Sequence, residues 1–180
     1  LFNALTTIMA VRKEEEKVAL VTQSLADYLR FSLTQEEADS GSHPLGQELD
    51  ALEDYLQVER IRFQKNLETH IDVTAEARAA RVPSALVQPL LENAIKYGQQ
   101  TSQLPLRIAI TAQVTGDRLH LTVENSGRWV EPGFTRSSGI GIANLKKRLQ
   151  LLYGDKAEFS FDRSEAAVKA QVSIPIQAAA

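Results

Sequence analysis

The 180-residue sequence predicts an α+β protein, with an N-terminal helical hairpin over residues 1–66 followed by a two-layer α/β sandwich over 67–180. Up to about residue 66 the apolar residues recur every three or four positions, which is the period of an amphipathic helix. Beyond that point they alternate along several segments, which is the period of a strand with one buried face. Apolar residues make up 43% of the chain, which is enough for a sizeable core.

The hairpin is predicted from two helices with narrow apolar stripes. The first spans 1–33, and a segment rich in Gly, Ser and Pro interrupts the pattern over 34–44. The second helix carries a stripe with near-heptad spacing, formed by Leu45, Leu49, Leu52, Leu56 and Phe63. Because a lone hairpin has too little core to stand by itself, we expect two copies to pair as a four-helix bundle with this stripe in the seam.

The sandwich is predicted to run in the order β-α-β-β-loop-α-β-β. Its elements are a strand at 67–73, a helix at 83–97, strands at 106–114 and 119–123, a loop at 126–139, a helix at 140–153 and a hairpin from 158 to 174. In the first of these helices Pro83 fits the first turn, Pro89 is expected to cause a kink, and Gly98 to mark the end. Strands in one layer and helices in the other make the sandwich.

Composition excludes several kinds of chemistry. The 20 Lys and Arg against 23 Asp and Glu give a net charge of −3, which argues against binding nucleic acid through a basic surface. The chain has no Cys, so thiol catalysis and Cys-ligated metals are excluded, and its three widely spaced His argue against a His-rich metal site. No apolar run approaches the about 18 residues of a membrane span. The chain begins without Met, and we interpret it as a piece of something longer.

The helix at 83–97 carries the first candidate site. Asn93, Lys96 and Tyr97 lie three and four positions apart, so they share one face, away from the leucines. An Asn oxygen suits a Mg²⁺ shell, a Lys ammonium suits phosphate, and the Tyr adds a ring beside them. The plainer interpretation is a surface ion pair between Glu92 and Lys96 with an incidental Asn, and this stretch alone does not decide between the two.

Two further stretches carry weaker signals. Residues 123–127, VENSG, follow a predicted strand, where side chains reach a cleft, although a simple turn explains them as well. Residues 138–144, SGIGIAN, open a helix whose free N–H groups and Gly-x-Gly suit an anion. Lys146, Lys147 and Arg148 follow, and they could line a phosphate or form a solvated face.

Together these stretches stand in the order of the Bergerat-type ATP-binding domain, which histidine kinases, gyrase-like ATPases and Hsp90-like chaperones share. The chain most resembles sensor histidine kinases of the LytS/YehU type. Residues 1–5, LFNAL, are similar to the end of that family's His-Phe-Leu-Phe-Asn-x-Leu motif, and 45–63 to its second helix. Residues 88–98 resemble its N box and 139–154 its G2 box with the following helix. The resemblance covers nearly the whole chain.

The resemblance implies ATP and Mg²⁺ as ligands and assigns roles to the N box. Asn93 would hold Mg²⁺, and Glu92 beside it would polarise or orient the reacting phosphate. Lys96 would meet the phosphates and Tyr97 would pack at the nucleotide. Asn125 stands where the family usually has an adenine-reading Asp, so it keeps an acceptor oxygen but lacks the charge.

The resemblance also assigns the Gly-rich segments. Residues 128–138 would form the ATP lid, although Arg128 and Trp129 stand where the family commonly has a second Gly. The remaining residues predicted to bind the nucleotide, by close backbone approach or by phosphate contact, are Gly127, Arg136, Gly139, Gly141 and Asn144.

The implied protein is the catalytic portion of a two-component sensor histidine kinase. The family's phosphoacceptor His lies just before Leu1, so this chain is expected to bind ATP but not to phosphorylate itself. His43 lies in a predicted turn, and His70 and His120 in predicted strands, so none of them is expected to replace it. The implied partners are a second copy, bound through 1–66, and a response regulator that receives the phosphate on an Asp.

The resemblance also implies the cytoplasmic domain of a bacterial inner-membrane protein, reaching the membrane only through a region outside this chain. Two alternatives compete with phosphotransfer. One is a degenerate nucleotide- or partner-binding module without transfer, which the change at Asn125 favours. The other is a serine-directed kinase that represses a sigma factor, against which the 66-residue hairpin argues.

Overall fold

A computed structural model describes residues 14–37, 42–130 and 140–176. The elements in chain order are α1 Glu15–Glu37, β1 Ser42–Pro44, α2 Leu45–Phe63, β2 Leu67–Val73, α3 Ala75–Ala79, β3 Arg81–Pro83, α4 Gln88–Thr101, β4 Leu106–Thr115, β5 Arg118–Ser126, α5 Ile140–Tyr153, β6 Glu158–Arg163 and β7 Ala167–Pro175. Within these ranges no helix is both long enough and apolar enough to cross a bilayer. The predicted helix over 1–13 lies outside the described residues.

The helical hairpin is present. Tyr28 of α1 stacks on Tyr55 of α2 with ring centroids 5.2 Å apart, and Val21 packs with Val58. The contacts therefore advance along α1 while they retreat along α2, which makes the two helices antiparallel. Val21 and Val58 are fully buried between the helices, with Leu25 and Ile61 packed around them.

The leucine stripe of α2 does not form a free seam, and that prediction was wrong. Leu45, Leu49, Leu52 and Leu56 are each at most 2% exposed within this single chain. They belong to the same apolar cluster as Leu90 and the inward side chains of the sheet. A side chain buried against its own sandwich has no apolar surface left for a second copy, so the stripe joins the hairpin to the sandwich.

The second half is the predicted two-layer sandwich. One sheet runs in the order β2-β4-β5-β7-β6, with β2 parallel to β4 and the other pairs antiparallel. Leu119, Leu121 and Val123 of β5 are buried, whereas His120 between them is exposed, as the alternation predicts. The buried side chains face α4, α5 and α2, and polar side chains cover the open face of the sheet.

The predicted start and end of α4 were both wrong. Pro83 ends strand β3, and the helix begins at Gln88, which puts Pro89 in the first turn, where its missing N–H removes no hydrogen bond. The expected kink therefore does not occur. Gly98 lies inside the helix because α4 approaches β4 closely: a Cβ there would lie 2.5 Å from Leu106 Cδ1.

Three short elements and one histidine also differ from expectation. Helix α3 and strands β1 and β3 were not predicted, and the two strands pair antiparallel. His43 lies in β1 rather than in a turn, and it is only 4% exposed. Its Nε2 lies 3.3 Å from Oε2 of Glu48. A pairing between three-residue strands far apart in sequence leaves no periodic signal that could have predicted it.

Candidate nucleotide-binding site

Helix α4 presents one buried and one partly open face. Leu90, Leu91, Ala94, Ile95 and Gly98 are buried in the core. Asn93, Lys96 and Tyr97 are half-buried on the other face, as their spacing predicted. The Lys96 ammonium lies 5.6 Å from the centroid of the Tyr97 ring. The face therefore brings together an amide oxygen, a cation and an aromatic ring.

Glu92 does not pair with Lys96. Its Oε1 accepts hydrogen bonds from Gln88 Nε2 at 3.0 Å and from the Tyr28 hydroxyl at 3.3 Å. Tyr28 belongs to α1, so the hairpin touches α4 at the predicted catalytic carboxylate. This contact could not be predicted from the sequence, because Tyr28 fits the apolar stripe of the first helix. Burial raises the pKa of Tyr55, so the Tyr55 hydroxyl stays protonated. Tyr28 stacks on this ring.

Asn125 lies at the end of the inward row of β5 and faces α4. Its side chain is 4% exposed, and its Nδ2 donates to the Ser126 carbonyl at 2.7 Å. A Cβ on Gly98 would lie 3.3 Å from that nitrogen. The Asn125 side chain is therefore held directly against the second half of α4.

Gly127 carries the chain over the end of α4. Its φ of 107° is left-handed, and a Cβ would lie 2.9 Å from the Ser102 backbone nitrogen and closer still to Thr101 Oγ1. No other residue type fits this position without displacing backbone. The Thr101 hydroxyl oxygen also accepts a hydrogen bond from the Arg128 N–H at 3.1 Å, which fixes where the chain leaves β5.

The first turn of α5 lies beside the first turn of α4. A Cβ on Gly141 would be 3.4 Å from the Pro89 Cβ, and both Gly141 and Asn144 are exposed. Gly139 and Arg136, and most of the predicted lid, lie outside the described residues. The structure thus places Asn125 and Gly127 at one end of α4 and Gly141 at the other.

The three cations of α5 have different surroundings. Lys146 is exposed with its ammonium 4.9 Å from the Phe159 ring centroid, and Lys147 is exposed. Arg148 is half-buried and donates to the Ser84 carbonyl. Arg148 therefore neither forms a solvated face nor reaches for phosphate, because its guanidinium binds the loop before α4.

The donor set fits a magnesium nucleotide. An amide oxygen is a hard ligand that suits Mg²⁺. An ammonium group and the N-terminus of a helix carry positive charge, which suits phosphate. Within the described ranges no group of three or more His, Asp or Glu could hold a metal ion. Mg²⁺ typically binds through one or two protein ligands plus the substrate phosphates.

Comparison with known families agrees with this geometry. A family model described as histidine kinase-, DNA gyrase B- and HSP90-like ATPase matches residues 79–178, which is more than half of the chain. The chain belongs to this ATPase family. Residues 79–178 are thus its ATP-binding domain, and a second family model, described as histidine kinase, matches residues 1–67. The predicted family is confirmed.

The similar curated proteins are bacterial sensor kinases. Sensor histidine kinase BtsS of Escherichia coli K12 is 37% identical to this chain over 158 residues. The match covers 86% of this chain and 27% of BtsS. Sensor protein kinase HptS of Staphylococcus aureus USA300 is 35% identical over 170 residues, covering 87% of the chain and 32% of HptS. The chain therefore spans about a third or less of these relatives.

Solved structures confirm the fold. The histidine kinase domain of the Erythrobacter litoralis EL346 blue-light activated kinase superposes with a TM-score of 0.60 at 16% identity, covering 93% of this chain and 85% of that one. Acinetobacter baumannii histidine kinase AdeS gives 0.58 at 14% identity, covering 94% and 83%. The α+β arrangement of a hairpin and a Bergerat-type sandwich is thus shared with histidine kinases.

Proposed function

We propose that this chain is the catalytic portion of a two-component sensor histidine kinase. It binds Mg²⁺-ATP and transfers the γ-phosphate to a His upstream of Leu1, for relay to an Asp of a response regulator. The observation that carries the proposal is the half-buried Asn93, Lys96 and Tyr97 face of α4, with Asn125 and Gly127 packed at its far end. The likeness to bacterial sensor kinases supports a place on the cytoplasmic side of the inner membrane.

Each residue of the site has a proposed task. Asn93 holds Mg²⁺, which supplies charge neutralisation on the phosphates when bound. Lys96 contacts the phosphates, Tyr97 packs at the nucleotide, and the Asn125 amide accepts from the adenine amino group. Gly127 and Gly141 let the backbone approach, and Asn144 of α5, with Arg136 and Gly139 before it, completes the proposed contacts.

Transfer breaks the bond between the γ-phosphorus and the ADP oxygen and forms a bond from phosphorus to an imidazole nitrogen. The attacking nitrogen is the one without a proton, ADP leaves with the electron pair of the broken bond, and the proton on the other ring nitrogen then passes to water. Glu92 is the carboxylate placed beside Asn93, and we assign it to orienting the reacting groups. Catalysis of this kind rests on positioning and on charge stabilisation rather than on a covalent enzyme intermediate.

We expect the 180-residue chain to bind ATP without phosphorylating itself. His43 is 4% exposed inside the fold, and His70 and His120 lie in strands of the sheet with their side chains exposed. In-line transfer needs the acceptor within about 3–3.5 Å of the phosphate. Intact mass after incubation with Mg²⁺-ATP at alkaline pH should be unchanged, whereas a chain extended upstream through its His should gain one phosphate.

A phosphate found on His43, His70 or His120 would contradict this assignment. Failure of the extended chain to gain phosphate, with ATP still bound, would instead support the degenerate module. The neutral Asn125 in place of a carboxylate is the observation that favours that second candidate, because it removes a charge-assisted bond to the adenine.

The helical segment 1–66 is proposed to form a homodimer. Since the α2 leucines are used inside the chain, the contact must involve other surfaces, and Leu20 on α1 is 46% exposed. Light scattering at micromolar concentration should therefore give twice the chain mass of 19.9 kDa. A monomer that persists up to several hundred micromolar would refute the dimer.

A further inference from the structure

The loop that precedes α4 is held by two charged side chains from different helices. Its backbone N–H groups point to Glu48 of α2, and its carbonyl groups point to Arg148 of α5. Both side chains lie outside the predicted nucleotide face, yet both act on the segment from which that face starts.

Glu48 supplies the N-terminal cap that α4 lacks in its own sequence. Val87, the residue before the helix, makes no side-chain capping bond. Glu48 is 1% exposed and accepts from the N–H groups of Leu86 at 3.1 Å, Val87 at 2.8 Å and Gln88 at 3.0 Å. A carboxylate at this end satisfies the free N–H groups and complements the positive end of the helix dipole.

Arg148 holds the other side of the same loop. Its guanidinium donates to the Ser84 carbonyl and lies 3.5 Å from the Ala85 carbonyl oxygen. Ala85 has a φ of 53°, a left-handed conformation that a residue with a Cβ adopts only when its surroundings fix it. The loop is therefore constrained from both sides by groups of opposite charge.

We propose that Glu48 and Arg148 are positioning residues that set the start and orientation of α4, and with it the nucleotide face that carries Asn93 and Lys96. Because Glu48 belongs to the hairpin and Arg148 to the helix after the predicted lid, the loop links both to the nucleotide site. The expected effect on ATP binding rests on the function proposed above. The restraint of residues 84–88 by Glu48 and Arg148, which we call the clamp, does not.

The step from cap to site is short. Asn93 lies five residues after Gln88, which is about 7.5 Å along a helix. An uncapped first turn frays, and a displacement of about 1 Å of a positioned group can cost a hundredfold in function. Hydrogen bonds to a carboxylate are roughly twice as strong as neutral ones, so Glu48 restrains this turn firmly.

The deciding variant is Glu48→Gln, with Glu59→Gln as its matched control. Both glutamates lie on α2 and are 1% exposed, but Glu59 pairs with Arg62 of its own helix. In Glu48→Gln one of the two acceptor oxygens becomes an NH₂ donor that faces a backbone N–H, so part of the cap is lost and the hydrogen bonds that remain lose their charge assistance. We expect the dissociation constant for Mg²⁺-ATP to rise about tenfold in Glu48→Gln and to stay within about twofold in Glu59→Gln.

Arg148→Gln and the double variant test whether the two residues act through one loop. Coupled residues give non-additive effects, so the double variant should weaken ATP binding by less than the product of the single effects. Amide hydrogen exchange at residues 86–88 should accelerate in Glu48→Gln and not in Glu59→Gln. Hydrogen exchange needs no nucleotide, so it tests the restraint of the loop even if the wild-type chain fails to bind ATP.

Three results would overturn the proposal. They are equal ATP affinity in Glu48→Gln and Glu59→Gln, strictly multiplicative effects of the Glu48 and Arg148 substitutions, and unchanged exchange at 86–88. Faster exchange with unchanged ATP affinity would reduce Glu48 to a structural cap and also reject the positioning role.

Discussion

An Asn93→Ala variant should lose Mg²⁺-dependent ATP binding while keeping its fold. Asn93 is half-buried on the open face of α4, away from the leucines, and Ala is the better helix former. Even residues that only support a metal ligand typically cost 10–100-fold in metal affinity when removed, so we expect a loss of about a hundredfold. Titration calorimetry with ATP, in the presence of Mg²⁺ and of a chelator, measures it, and circular dichroism checks the fold.

The matched control is Asn66→Ala, in an exposed position of the turn between α2 and β2. It removes the same side chain at a distance in sequence from α4, and its ATP affinity should equal that of the wild type. An Asn93→Ala variant that binds ATP normally in Mg²⁺ would eliminate the metal-ligand role.

A Leu52→Asp variant should destabilise the whole chain instead of separating a dimer. Leu52 is 1% exposed in the core that α2 shares with the sandwich, and a buried unpaired carboxylate is among the most destabilising substitutions, costing about 4–5 kcal/mol or more. Since small domains have only about 5–15 kcal/mol in all, most of the stability is lost. Urea unfolding followed by circular dichroism gives the change directly.

Leu151→Asp is the corresponding control on α5. Leu151 is 77% exposed, so the same substitution there should change the free energy of unfolding by no more than about 0.5 kcal/mol. If Leu52→Asp were as stable as Leu151→Asp, the packing of α2 against the sandwich would be wrong, and the leucine stripe would again be available for a dimer seam.

The fold class followed from the sequence because long periodic segments carry their own signal. The alternation through Leu119, Leu121 and Val123 and the four-residue steps of α2 both gave the right element and the right buried face. The apolar stripe of α2 does not indicate what the helix packs against. The period of the apolar residues predicts which side of a helix is buried, whereas the surface that covers this side depends on contacts far away in sequence.

The candidate site also has a part that the sequence predicts and a part that it does not. The shared face of Asn93, Lys96 and Tyr97 follows from helix geometry alone and is present. The hydrogen bonds of Glu48 to the start of α4 and of Tyr28 to Glu92 join residues 38 to 64 positions apart. Such contacts are made only by the tertiary fold, so a single sequence offered no way to predict them.

The measurement that tests the central claim most directly is a nuclear magnetic resonance titration of the isotope-labelled 180-residue chain with Mg²⁺-ATP. The proposed site predicts backbone shift changes concentrated at Asn93, Lys96, Asn125 and Gly127, with none on the open face of the sheet around His70. Shift changes centred on His70, or none at millimolar nucleotide, would contradict the assignment of α4 as the nucleotide-binding helix.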